Sequence, residues 1–139
     1  MKTMDKMKYF TPEEAERTLP LVRQIVQDIL TAGQQARQYV QTLGEEAESH
    51  PWIQEKIQEI QAYIQELEDI GCYFKDWNFE IGLVDFPAII NGEQVFLCWR
   101  SDETHIRYYH GIHEGYAGRK PIPPEYLFAS QGADPNGEK

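Results

Sequence analysis

Cysteine is scarce in this chain: two among 139 residues, Cys72 and Cys98, at a spacing that makes no CxxC pair. No disulfide framework or standard thiolate cluster can organise such a chain, so packing in a reducing compartment is the default role for both thiols. Long apolar runs are missing too. None approaches the roughly 18 residues of a membrane span, and Met1 to Lys8 lacks the apolar centre of a signal peptide. No membrane association and a cytoplasmic location are therefore expected. Positive charge is also short, with 13 Lys and Arg against 23 Asp and Glu, a formal net charge of −10. A surface that tracks phosphates needs a basic stripe, so nucleic acid is not an expected partner.

What is present begins with helix signals. Thr11-Pro12-Glu13-Glu14 offers an N-cap, a first-turn proline and the glutamate of a capping box. Pro20 predicts either a kink or a short helix followed by a long one. From Val22, apolar or small residues recur at Ile25, Val26, Ile29, Gly33, Ala36, Val40 and Leu43, which is helical spacing. Ser49-His50-Pro51 ends that stripe and starts another, Ile53, Ile57, Ile60, Ile64 and Leu67, with Gly71 as a natural C-cap. Two long helices joined by a short connection run antiparallel. So long an arm outreaches the sheet it packs on, and part of its stripe is expected to meet a second copy in a homodimer; a hairpin with no other role is the alternative.

Asn91-Gly92, flanked by β-branched and aromatic residues, is the signature of a two-residue type I′ hairpin joining strands from Leu83 to Ile90 and from Glu93 to Arg100. The loop length fixes the register: Ile90 faces Glu93, Phe86 faces Leu97, Asp85 faces Cys98 and Val84 faces Trp99. Val84, Phe86, Ala88, Ile90, Val95, Leu97 and Trp99 then share a core face. Asp85 lies on the other, diagonal to Arg100 and so expected to pair with it and stay ionised. Pro87 cannot donate a ladder bond, which puts the first strand at the sheet edge. His105 to His110 is a third strand of undetermined register. The fold expected is α+β: a long antiparallel helical hairpin (residues 11–71) on a small antiparallel sheet of about three strands (within residues 72–128). Residues 1–128 would form one domain, and residues 129–139, poor in apolar groups, a disordered tail.

The runs GLVDFP, LCWR, YYH and GYAGRKPI, with Glu103 between them and YFTPEEAERTLPLV near the start, resemble a family of short prokaryotic proteins catalogued as domain of unknown function 2203. That resemblance implies a small cytosolic prokaryotic protein of helical-hairpin-plus-sheet type. It supplies no activity to carry over.

Site assignments rest on chemistry. Residues 82–122 hold three of the four histidines. His110, His113, Glu103 and Asp85 are the candidate metal ligands, since imidazole and carboxylate together suit zinc, manganese, iron or nickel. The spacing matches no standard motif, HExxH included, and His105 is the likeliest bystander. In GYAGRKP, two glycines three apart free the backbone to form a nest of N–H groups, and two cations adjoin it. Gly118, Arg119 and Lys120, with Arg100, are therefore candidates for binding a small anionic ligand; a tight turn with a paired arginine is the plainer alternative. The leading functional reading is a divalent-metal-binding protein, with its reaction, if any, undetermined. The other is a non-catalytic interaction or scaffold module acting through the helical hairpin.

Overall fold

A computed structural model describes residues 8–127. The residues assigned to a tail, 129–139, lie outside it. Helix α1 runs Pro12–Leu43 and opens with the capping box: Glu14 N–H donates to Thr11 Oγ1 (3.1 Å) and Thr11 N–H donates to Glu14 Oε1 (3.0 Å). It continues through Pro20, which excludes two separate helices. Gly44, at φ 67°, ends it. A 3-10 turn, Gly44–Ser49, leads to helix α2, Pro51–Ile70, capped by His50, whose Nδ1 accepts from Trp52 N–H. Gly71, left-handed at φ 114°, closes it.

The second helix returns along the first. Trp52, at its start, packs edge-on against Tyr39 of α1 with ring centres 4.4 Å apart, and Gly71, past its end, lies against Lys8 and Phe10. Along α2, Ile53, Ile60 and Leu67 are buried whereas Ile57 is exposed and Ile64 half-buried. Only one of the two apolar rows of a heptad pattern is therefore fully used within the chain.

The sheet has five antiparallel strands in the order β1-β2-β3-β4-β5: Tyr73–Phe74, Leu83–Ile90, Glu93–Arg100, Tyr108–Gly111 and Lys120–Pro121. About three were expected. The two additions are two residues each, too short to show any periodicity, and they exist only because their neighbours offer free ladder groups. The hairpin between β2 and β3 has the anticipated register at every pair, with Asn91 and Gly92 at φ 54° and 80° as a type I′ turn requires. The strand expected from His105 begins instead at Tyr108, because Ile106 and His105 are held by Glu16 of α1: Ile106 N–H donates to Glu16 Oε2 at 2.6 Å.

Strand β2 is interior and not, as Pro87 suggested, at the edge. The proline is accommodated because β1 reaches only as far as Val84 and Asp85. Beside Pro87 the sheet is locally open, and Phe10 N–H donates to the Pro87 carbonyl at 2.7 Å.

The core lies between α1 and one face of the sheet, where Val22, Val26 and Ile29 meet Val84, Phe86, Leu97 and Trp99, all essentially inaccessible to water. At Gly33 a side chain would overlap the ring of Phe79, so the glycine permits that close approach. Phe79 itself has φ 59°, an uncommon backbone state for a bulky residue. Its loop is overdetermined: Asp76 accepts from the N–H groups of Asn78, Glu80 and Ile81, while Gln34 and Arg37 of α1 donate to the carbonyls of Phe79 and Asn78. At the opposite corner, the Tyr126 hydroxyl receives Asn91 N–H at 2.7 Å and donates to Asn91 Oδ1 at 3.1 Å.

Candidate metal centre

The face of the sheet turned away from α1 carries the alternate residues of each strand. Asp85 on β2 stands opposite Cys98 on β3. One strand further, His110 on β4 stands opposite Phe96, which puts its ring diagonal to Cys98. The three side chains converge: one ligand atom from each lies within 4.8 Å of the other two. All three residues are hidden from water, with 4% of Asp85, 1% of Cys98 and 3% of His110 exposed.

Hydrogen bonds orient the group. His110 Nε2 is 3.1 Å from Asp85 Oδ1, and its Nδ1 is 2.8 Å from the carbonyl oxygen of Gly111. A carbonyl only accepts, so Nδ1 carries a proton and the Nε2 edge is presented to the carboxylate. The ring of Phe96 leans on the imidazole at 5.7 Å. Burial raises the carboxyl pKa of Asp85, and His110 together with Lys75 and a Cys98 hydrogen bond only partly counters this. Burial likewise pushes the Cys98 thiol up to about 12, with a further push from Asp85, as their facing positions implied.

Arg100 does not pair with Asp85. Its guanidinium takes Asp102 in a two-pronged contact (2.7 and 2.8 Å) and also reaches the Tyr116 hydroxyl. The nearer carboxylate wins because the tight turn after β3 brings Asp102 back over its own strand end. Deprived of that partner, Asp85 has the direction of shift opposite to the one anticipated.

Arg119 crosses behind Cys98. It binds both oxygens of Glu103 (3.1 and 2.5 Å), touches the Cys98 carbonyl at 3.4 Å, and lies between the rings of Tyr108 and Tyr116, 4.2 and 4.5 Å from their centres. Burial works against its charge, but the bonds to Glu103 outweigh that and raise its pKa. Glu103 is thus held by Arg119 and by Arg100 N–H rather than by the imidazole. Gly118 N–H closes the short turn Tyr116–Gly118 onto Gly115, and Lys120 is exposed beside Tyr109. His113 is exposed in a shallow groove with Glu93, Gln94 and Glu114. His105 is exposed against Glu16.

The sequence profile of a family described as an uncharacterized conserved protein, DUF2203, matches residues 8–122. The chain belongs to the DUF2203 family. No curated protein and no solved structure matches it. In this DUF2203 protein the run GLVDFP supplies Asp85, LCWR supplies Cys98 and YYH supplies His110, so the converging residues sit within the runs that carried the resemblance.

Of the anticipated ligands, Asp85 and His110 come together, whereas Glu103 and His113 stand apart from them. Cys98 is the residue that sequence reasoning left to packing. The signal for it was available in the hairpin register, which already set the thiol against Asp85. What was missing was the placement of β4, and with it the third corner.

Proposed function

We propose that this DUF2203 protein binds a divalent transition-metal ion through Asp85, Cys98 and His110. The observation that carries this reading is a carboxylate, a thiol and an imidazole converging in a dry part of the sheet, with the imidazole tethered at Nδ1. A backbone carbonyl on one nitrogen, leaving the other for a cation, is the usual outer support of a metal-bound histidine. In a tetrahedral zinc site such donors lie roughly 3.5 Å apart; Asp85 Oδ1 and His110 Nε2, at 3.1 Å, are already that close, and the widest separation in the group, no more than 4.8 Å, would shrink by about 1 Å, within the reach of side-chain rotation. Thiolate with imidazole favours zinc over manganese.

Glu103 then serves to fix Arg119, and His113 remains at the surface. Metal analysis of the untagged protein is the direct test. A stoichiometry near one, lost in Cys98→Ser and His110→Ala, is expected. A value near zero, with no binding on zinc titration, ends the proposal.

A second reading concerns the helical arm. Val40 and Ile57 are 42% and 39% exposed, and they line one groove between α1 and α2 with Ala47 and Ile53. That groove supports the reading in which the arm meets a second copy or another protein, with the sheet as scaffold.

A further inference from the structure

The second inference rests on the metal reading and concerns what else the centre would hold. Three protein donors leave one position of a tetrahedral ion without a protein ligand. Charge says what suits it. A divalent ion with a carboxylate, a thiolate and a neutral imidazole sums to zero.

Lys75 lies at the same face. Its N–H donates to the Leu83 carbonyl at 2.8 Å, which continues the β1 ladder by one residue, so alternation puts its side chain with Tyr73 on the Asp85 side of the sheet. The ammonium is 6.0 Å from the centre of the Phe96 ring, the same ring that leans on His110. Its charge acts on the Asp85 carboxyl. Among the described residues no carboxylate pairs with it.

The other cations near this face are taken, Arg119 by Glu103 and Arg100 by Asp102. Lys75 is exposed, so water screens its charge, yet beside a neutral metal cluster the ammonium still carries one positive charge that no protein group among the described residues balances. A monoanion neutralises it.

We propose that Lys75 makes this centre a receptor for a small monoanionic oxygen ligand, a carboxylate of about acetate's size, bound to the metal's remaining position and to the ammonium. The burial of the three donors, each no more than 4% exposed, favours a small ligand over a bulky one. Lys75 is a binding residue in this scheme and donates to the ligand oxygen that the metal does not hold.

The test uses the full chain loaded with cobalt(II), whose visible bands report coordination, at fixed pH and at constant ionic strength set with perchlorate. Acetate is expected to change the bands in a saturable way. A charge-assisted hydrogen bond is worth about 1.5–3 kcal/mol, or roughly 10- to 100-fold in affinity, so Lys75→Met should weaken acetate by at least about tenfold. Lys75→Arg, which keeps the charge, should stay within about threefold of the parent by the same reckoning.

Acetate that leaves the bands unchanged, or affects the parent and Lys75→Met alike, overturns the role of Lys75 and leaves the metal reading standing. Absence of cobalt bands, or bands unchanged in Cys98→Ser, overturns both.

Discussion

His110 reaches across β3 to Asp85 with a single proton between the two side chains: Nδ1 spends its own hydrogen on the Gly111 carbonyl, so the 3.1 Å contact at Nε2 needs one more, supplied by either partner. Whichever residue carries it, the pair is satisfied only while that proton, or a cation in its place, is present.

Substitutions at Asp85 should therefore divide sharply. Asparagine can donate its amide to Nε2 and keep the bond, so Asp85→Asn should stay within about 1 kcal/mol of the parent in stability while losing metal. Asp85→Ala strands a buried ring nitrogen and leaves a void, and should cost about 2–3 kcal/mol. Urea unfolding of the metal-free proteins at pH 7 measures both, and equal losses would contradict the shared-proton arrangement.

Metal uptake should release protons. With Cys98 held as a thiol and one proton on the Asp85–His110 pair, two must leave when a cation enters. Affinity should then climb by up to about two log units per pH unit below the range in which these groups ionise. Calorimetric titration in buffers of different ionisation enthalpy counts the protons; a count of zero would exclude these donors.

Alkali should weaken the fold through its thiols. Burial pushes both Cys72 and Cys98 from an ordinary 9.0 up to about 12. Between those values the unfolded chain has given up protons that the native chain keeps. The contribution of each thiol is thus whole below pH 9 and falls by about 1.4 kcal/mol per pH unit above it. Replacing Cys72 by alanine should flatten the decline by one thiol's share in denaturant titrations under reducing conditions. An unchanged slope would show that Cys72 ionises normally.

The Arg119–Glu103 pair should be strongly coupled. Its side chains are only 12% and 18% exposed, and the guanidinium is also held between two tyrosine rings. A double-mutant cycle with Arg119→Gln and Glu103→Gln should return about 1–3 kcal/mol. Lysine at 119 should not restore it, since an ammonium has neither the fork nor the flat faces. A coupling near zero would mark the pair as incidental.

Assembly through the helical arm has its own test. Ile57 is exposed, so Ile57→Glu should leave the unfolding midpoint nearly unchanged while shifting sedimentation toward a single copy. A parent that already sediments as one copy at high concentration removes the dimer.

The parts of this fold that announce themselves in the sequence are those set by local chemistry. Pro12, Pro51 and Gly71 mark helix ends because a missing N–H or a left-handed backbone is best accommodated there, and Asn91-Gly92 fixes a hairpin of two eight-residue strands from its turn. Hidden are the features decided by distant neighbours. Strands β1 and β5 have no pattern of their own, and the place of Pro87 depends on where β1 stops. The candidate centre divides in the same way. Asp85 facing Cys98 follows from counting back from the turn, whereas His110 joins them only because Glu16 holds the preceding segment against α1 and delays the start of β4.

The hydroxyl of Tyr126 fastens the tip of the β2–β3 hairpin from beyond residue 122, where the family profile ends. A shortened version trimmed to the profile would keep all three candidate donors yet leave the far end of their two longest strands untethered. Loosened affinity in such a fragment would then report a missing clasp, not a missing ligand.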